Sequence, residues 1–210
     1  MKEHGDPATQ SLPTSFYRRR SIAVARDLLG CHLVRRVGRS TTVIEITETE
    51  AYLGAVDPAS HAAFGRRTQR VEPMYGPAGF AYIYFVYGMH WCCNVVCATE
   101  GVADAVLVRA GIAIEGRATM LKRRHLKEQA SDKGLAGGPA KLCQAMAIDG
   151  KLNNYDLQGP SLFLAPGRNV AEAEVLREPR VGVDYAGRAK DWPLRYRVSL
   201  SPRTNGPLGT

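Results

Sequence analysis

The sequence predicts an α+β fold. It reads as a single compact domain with a curved, mostly antiparallel, barrel-like sheet, flanked by helices and carrying a protruding β-hairpin. Three observations predict it. Short β-branched and aromatic runs outnumber the segments with helical spacing. Two of those runs, 80–86 and 91–98, are separated only by Tyr87, Gly88, Met89 and His90, which is hairpin spacing. No repeat, low-complexity tract or linker divides the 210 residues, a length that suits one domain with a substantial core.

The elements follow in order. Residues 1–14 are polar and are expected to form a disordered arm; 15–202 form the domain and 203–210 a tail. Residues 16–29 read as a helix, with Ile22, Val24, Ala25 and Leu28 as a partial apolar stripe and Gly30 as its cap. Strands are expected at 31–37 and 42–52. A polar loop with Gly and Pro spans 53–79, long enough to suspect a functional role. After the hairpin come a strand at 104–110, a helix at 114–127 with basic residues on its exposed side, and a helix at 139–148 opened by Pro139. Strands are expected again at 161–165, 181–185 and 194–199.

Charge narrows the partners. There are 28 Lys and Arg against 20 Asp and Glu, a net of +8. Such an excess favours polyanions, because each neutralised phosphate releases counterions. Nucleic acid leads, with an acidic membrane surface well behind. The basic residues are clustered, as at Arg18-Arg19-Arg20, Arg66-Arg67 with Arg70, and Lys122-Arg123-Arg124. That pattern suits a folded domain with a positive face, although each cluster alone also reads as a solvated surface.

No secretory signal and no apolar run of membrane-spanning length is visible, so a cytoplasmic, nucleoid or nuclear location is expected. Five cysteines are an odd number and point to a reducing compartment. Cys92, Cys93 and Cys97 near His90 fit no common zinc spacing and read as small buried hydrophobes; no metal is expected.

Two anomalies point to function. In the 42–52 strand, alternation puts Ile44 and Ile46 on one side, and Glu48, Glu50 and Tyr52 continue that side. Charge on an apolar face breaks the local rule, since burying an unpaired carboxylate is costly. Either the glutamates serve a site or the strand simply leaves the core. The hairpin is the second anomaly: its turn bears Tyr87 and Met89, with His90 and Trp91 beside them, where polar residues are usual. Either the tip folds back over the core or it enters a base stack. Together with the positive surface, these features suggest chemistry on a nucleobase turned out of its duplex, with Tyr52 and Tyr84 as candidate stacking faces.

The run Glu48-Thr49-Glu50-Ala51-Tyr52-Leu53-Gly54 with His61 resembles the active-site segment of the alkyladenine (3-methyladenine) DNA glycosylases. So do Tyr82-Ile83-Tyr84-Phe85-Val86-Tyr87-Gly88-Met89 with Asn94, the stretch Val106-Leu107-Val108-Arg109-Ala110, residues 138–145, and Arg180-Val181-Gly182-Val183. The resemblance extends from about residue 16 to residue 202.

It implies that Glu50 is the general base that activates water, with Arg109 and the Val181 carbonyl helping to hold that water. It implies that Tyr52 and His61 sandwich the flipped base, that Tyr84 lines the pocket, and that Asn94 rejects normal guanine. Tyr87 is implied to fill the vacated space, with Met89 and His90 wedging nearby. The expected partner is double-stranded DNA containing damaged purines, acted on by a monomer. No cofactor is expected, because water is the nucleophile.

Overall fold

The computed structural model describes residues 10–199. The segments expected as the outer arm (1–9) and the tail (203–210) lie outside those residues. The inner part of the expected arm is packed: Leu12 is buried and its amide donates to the Leu164 carbonyl.

Among the described residues, eight antiparallel strands make one curled sheet: β1 (His32–Val37), β2 (Ser40–Leu53), β3 (Ala81–Val86), β4 (His90–Cys97), β5 (Asp104–Glu115), β6 (Leu162–Ala165), β7 (Val175–Glu178) and β8 (Arg195–Val198). The path runs β3-β4-β5-β2-β1-β6, and β8 joins β2 to β7. With α1 (Thr14–Tyr17), α2 (Ser21–Asp27), α3 (Arg117–Arg123), α4 (Asp132–Ala136) and α5 (Pro139–Ala145), the fold is α+β, as expected.

Several boundaries differ from expectation. The first helix is two, separated at Arg18–Arg20, where the Arg20 backbone is extended (ψ 142). The helix expected from 114 starts only at Arg117, because β5 runs on to Glu115 and pairs it with Val43. Gly116 makes the change of direction at φ 73, and a side chain there would collide with the Thr41 carbonyl. The helix from Pro139 ends at Ala145. The strand expected at 181–185 is absent: that segment is a bend leading into the 3₁₀ turns Asp184–Asp191, and the strand of this region is β7. Short 3₁₀ turns at Gly54–Val56, Ala63–Gly65 and Glu72–Tyr75 order the expected loop.

The sheet's two faces divide the labour. Ala51, Ala81, Ile83, Cys93, Val95, Val106 and Val108 pack on one side with Val24, Ala25, Leu142 and Cys143 from α2 and α5. The five cysteines are buried and unbridged, and four of them, Cys31, Cys93, Cys97 and Cys143, belong to this core. On the opposite side, Tyr82, Val96 and Ala105 pack beneath Ala62, Val71 and Met74 of the long loop. The helices therefore press on one face, leaving the other to be shaped by loops.

Candidate active site

The register of β2 decides where Glu50 points. Pairing with β5 slips between Ile46 and Glu48 and again between Glu48 and Thr49. A bulge of this kind turns a strand over, so side chains beyond it change face. Ile44 and Ile46 lie in the main core before it, and after it the core residue is Ala51. Glu50 and Tyr52 therefore do not continue the apolar face, as simple alternation suggested; they occupy the other one. The charge is in register with a site.

Pairing then draws one row across four strands: Glu50 opposite Leu107, Leu107 opposite Asn94, and Asn94 opposite Tyr82. Tyr84 lies opposite Cys92 in the next row. Leu107, Asn94, Tyr82, Tyr84 and Cys92 form the floor of a cleft of about 370 Å³. Of the residues singled out in the sequence, Tyr52, His61, Tyr84, Tyr87, His90, Asn94, Arg109 and Val181 all line it. Glu50 sits immediately behind, and Met89 stands outside on the hairpin tip.

Glu50 is 0% exposed, yet its polar partners among the described residues are all donors. The Tyr52 hydroxyl donates to Oε2 at 2.8 Å, and the Val181 amide donates to Oε1 at 2.8 Å. The Arg109 guanidinium reaches the same Oε1 at 3.2 Å while its Nε donates to Glu48 at 2.9 Å. Arg195 also meets Glu48, at 3.1 Å. Burial alone would lower the Arg109 pKa, but the Glu50 and Glu48 charges beside it raise it overall. The Val181 amide faces the carboxylate because residues 181–183 bend instead of extending, a contact separate from the one its carbonyl is expected to make with water.

The aromatic walls are coupled. The Tyr82 hydroxyl and His61 Nδ1 are 2.8 Å apart, and the His61 ring meets Tyr84 edge-on at 4.5 Å between centroids. Burial, and then the charges of Arg70 and Arg66, lower the His61 pKa to about 4, so the imidazole is neutral at physiological pH. Burial raises the Tyr52 and Tyr84 phenols, keeping both protonated as hydrogen-bond donors. Asn94 is buried and donates from Nδ2 to the Tyr82 carbonyl at 3.0 Å.

A buried strut lies beneath Tyr52. The Arg180 guanidinium stands over the Tyr52 ring at 4.7 Å and grips Asp57 at 2.5 and 2.8 Å. It also donates to the Ala51 carbonyl at 3.0 Å. Asp57 in turn accepts from the Leu53 and Ala59 amides, at 3.1 and 3.0 Å. Arg180 immediately precedes Val181, so one residue braces a stacking ring and the segment that anchors Glu50. Sequence reasoning quoted Arg180 and Tyr82 within motifs but gave neither a role, and it missed Asp57 and Tyr185. Nothing in a sequence marks a pair 123 positions apart, whereas Tyr82 was visible in the period of the strand.

The hairpin tip is the cleft's outer edge. Tyr87 is 80% exposed and Met89 66%. Tyr87 and Gly88 both adopt positive φ, 54 and 67, which turns β3 into β4 in three residues and points the tip outward. His90 begins β4 rather than ending the turn, and its side chain is exposed. Among the described residues, no group of three or more His, Cys, Asp or Glu could hold a metal ion, and no helix is long and apolar enough to cross a membrane.

A cleft of this construction can hold a flat, electron-poor ring against aromatic walls with a carboxylate behind it. Comparisons with known proteins point the same way. The chain is 45% identical over 189 residues to a Clostridium acetobutylicum protein assigned as a 3-methyladenine DNA glycosylase, covering 87% of this chain and 91% of that one. It is 44% identical over 195 residues to one so assigned from Desulfitobacterium hafniense, covering 90% and 96%. A third, from Carboxydothermus hydrogenoformans, is 45% identical over 186 residues, covering 88% and 93%. The signature of the methylpurine-DNA glycosylase family matches residues 15–202, and the chain belongs to that family.

Proposed function

We propose that this DNA glycosylase rotates an alkylated or deaminated purine out of duplex DNA into the aromatic cleft. There it hydrolyses the N-glycosidic bond with a water activated by Glu50, leaving an abasic site. The observation that supports this best is the sealed Glu50 carboxylate, held by three donors that themselves line the cleft.

Each group has a part in this reading. Tyr52 and His61 receive the base between them, and Tyr84 closes the wall. Asn94, fixed by its bond to Tyr82, occupies floor space that the exocyclic 2-amino group of guanine would need. A cationic lesion such as 3-methyladenine is favoured over these rings by about 0.5–2 kcal/mol per good contact. Arg109 and the Val181 amide aim Glu50 and offset its charge. With all three donors in place the carboxylate has no exposed surface, so the attacking water enters beside them as the base is seated. Cleavage develops positive charge on the sugar, which the carboxylate stabilises while it takes the proton from water. Tyr87, with Met89 beside it, fills the gap in the stack.

Among the described residues that line the cleft there is no lysine. This supports water over an amine nucleophile and a monofunctional reaction. The chain is read as acting alone, as a monomer inside the cell.

The test is base release from a panel of lesion-bearing oligonucleotides. Glu50→Gln is expected to lower release by about a hundred- to ten-thousand-fold with DNA binding retained. Release unchanged in that variant would sink the proposal and favour a non-catalytic binding module. Strand nicking at the abasic product without added base would overturn the monofunctional part alone.

A further inference from the structure

A second aromatic projection stands beside the cleft, and the proposed reaction does not use it. Phe64 is 85% exposed, more than any other large apolar side chain among the described residues. It sits in the Ala63–Gly65 turn at φ 58 and ψ 26, a left-handed conformation that bulky residues seldom adopt. It borders a recess of about 750 Å³, shared with Pro58, Ser60, Arg66 and Tyr185. His61 and Tyr185 belong to both this recess and the base cleft, so the two adjoin across one aromatic partition.

The recess is positively charged. Arg66 lines it, and Arg66 and Arg70 lie close enough to His61 for their charge to act on it. Both acids of the same loop are already paired, Glu72 with Arg67 at 2.5 Å and Asp57 with Arg180. An apolar ring beside an available cation matches a sugar–phosphate unit, which presents a C–H face next to an anion. Contacts of this kind set the register of a strand without reading its bases.

We infer that this recess is a second DNA contact, in which Phe64 packs on the deoxyribose face of a nucleotide flanking the flipped one and Arg66 meets its phosphate. The inference rests on the proposed function, because the occupant is the same DNA that delivers the base. It adds a second anchor to the hairpin wedge, placed beyond His61, so that the backbone is held on more than one side of the extruded nucleotide.

The experiment uses a duplex with a stable abasic analogue at the lesion position, which has no base to release. Phe64→Ala is expected to weaken equilibrium binding about tenfold with an unchanged salt slope. Arg66→Ala is expected to weaken binding and reduce the slope by about one unit. Trimming the duplex one pair at a time gives wild type a drop in affinity at the contacted nucleotide, and that drop is lost in Phe64→Ala. Wild-type affinity in both variants, or no such drop in wild type, overturns the inference. It is equally overturned if Phe64→Ala alters self-association while DNA affinity stays unchanged, since the patch then serves a second copy of the chain. Base release from a lesion duplex is scored separately: its absence in wild type defeats the proposed reaction while the affinity steps stand or fall alone. Phe64 is exposed, and matched thermal unfolding of the variant excludes a folding defect.

Discussion

At the floor of the cleft, Glu50 and Asp57 are sealed from water and bonded to Arg109 and Arg180. At the tip of the hairpin, Tyr87 and Met89 stand in solvent on a three-residue turn. Each arrangement is unfavourable without its complement. Buried charge requires partners and hydrogen bonds within the protein, and the floor supplies them from strand β2, strand β5 and the 180–181 segment. Exposed large side chains such as these gain from a partner outside the chain, and Tyr87 and Met89 are left 80% and 66% exposed. The difference teaches where the work of recognition is divided. The floor is organised within the chain, whereas in the proposed function the tip gains its full contacts from DNA.

The sharpest way to break this contrast is at the strut. Asp57→Ala leaves the Arg180 guanidinium buried and unpaired, which is expected to cost about 3–5 kcal/mol and lower the melting temperature by roughly 10 °C. Thermal unfolding measures it. A loss under about 1 kcal/mol would mean that the pair is not holding the floor. Asp57→Asn keeps one acceptor oxygen, and with it the hydrogen bond from either the Leu53 or the Ala59 amide, and is expected to lose less.

The tip makes the opposite prediction. Tyr87→Ala is expected to leave stability unchanged while weakening binding to lesion duplex by about 1–3 kcal/mol, the usual worth of one stacked base. On a lesion already unpaired in a loop, its cleavage rate is expected to stay close to wild type. Competition binding on the two substrates reads the difference, and equal losses on both would remove the wedge from the mechanism.

The smallest effect concerns His61, which stands between the two regions. Its folded pKa of about 4 lies below the ordinary histidine value of 6.5, so the unfolded chain binds this proton more readily. Stability from this residue is full above pH 6.5 and is lost as pH falls from 6.5 towards 4. Wild type is therefore expected to lose melting temperature across that window more steeply than His61→Gln does. Parallel curves would show that the imidazole is not buried as described.

Much of this site was legible in the chain, and the misses are instructive. The hairpin announced itself because β-branched and aromatic runs flank a single glycine, and a turn's chemistry is local. The carboxylate at residue 50 was conspicuous, but its direction was misread. Alternation from Ile44 placed it on the core face, while the bulge between Ile46 and Thr49 reverses that phase. A bulge depends on how β2 pairs with β5 and β8, and none of those strands is near it in sequence. The 181–185 run looked like a strand from its valines, yet Arg180 pinned to Asp57 bends it, and so its amide meets Glu50. The helix from residue 114 was shortened by the same kind of competition, with Glu115 kept in the sheet by Val43.

What the sequence determined by itself was the inventory: a basic α+β domain, an aromatic hairpin tip, and a carboxylate near tyrosines and a histidine. Those features depend on residue type and short spacing, which act through local energetics. Only the tertiary structure decided which face Glu50 occupies, which atom of residue 181 meets it, and that Arg180 and Asp57 brace the ring beside it. These depend on strand register and on contacts more than a hundred residues apart, whose geometry exists only once the sheet has closed.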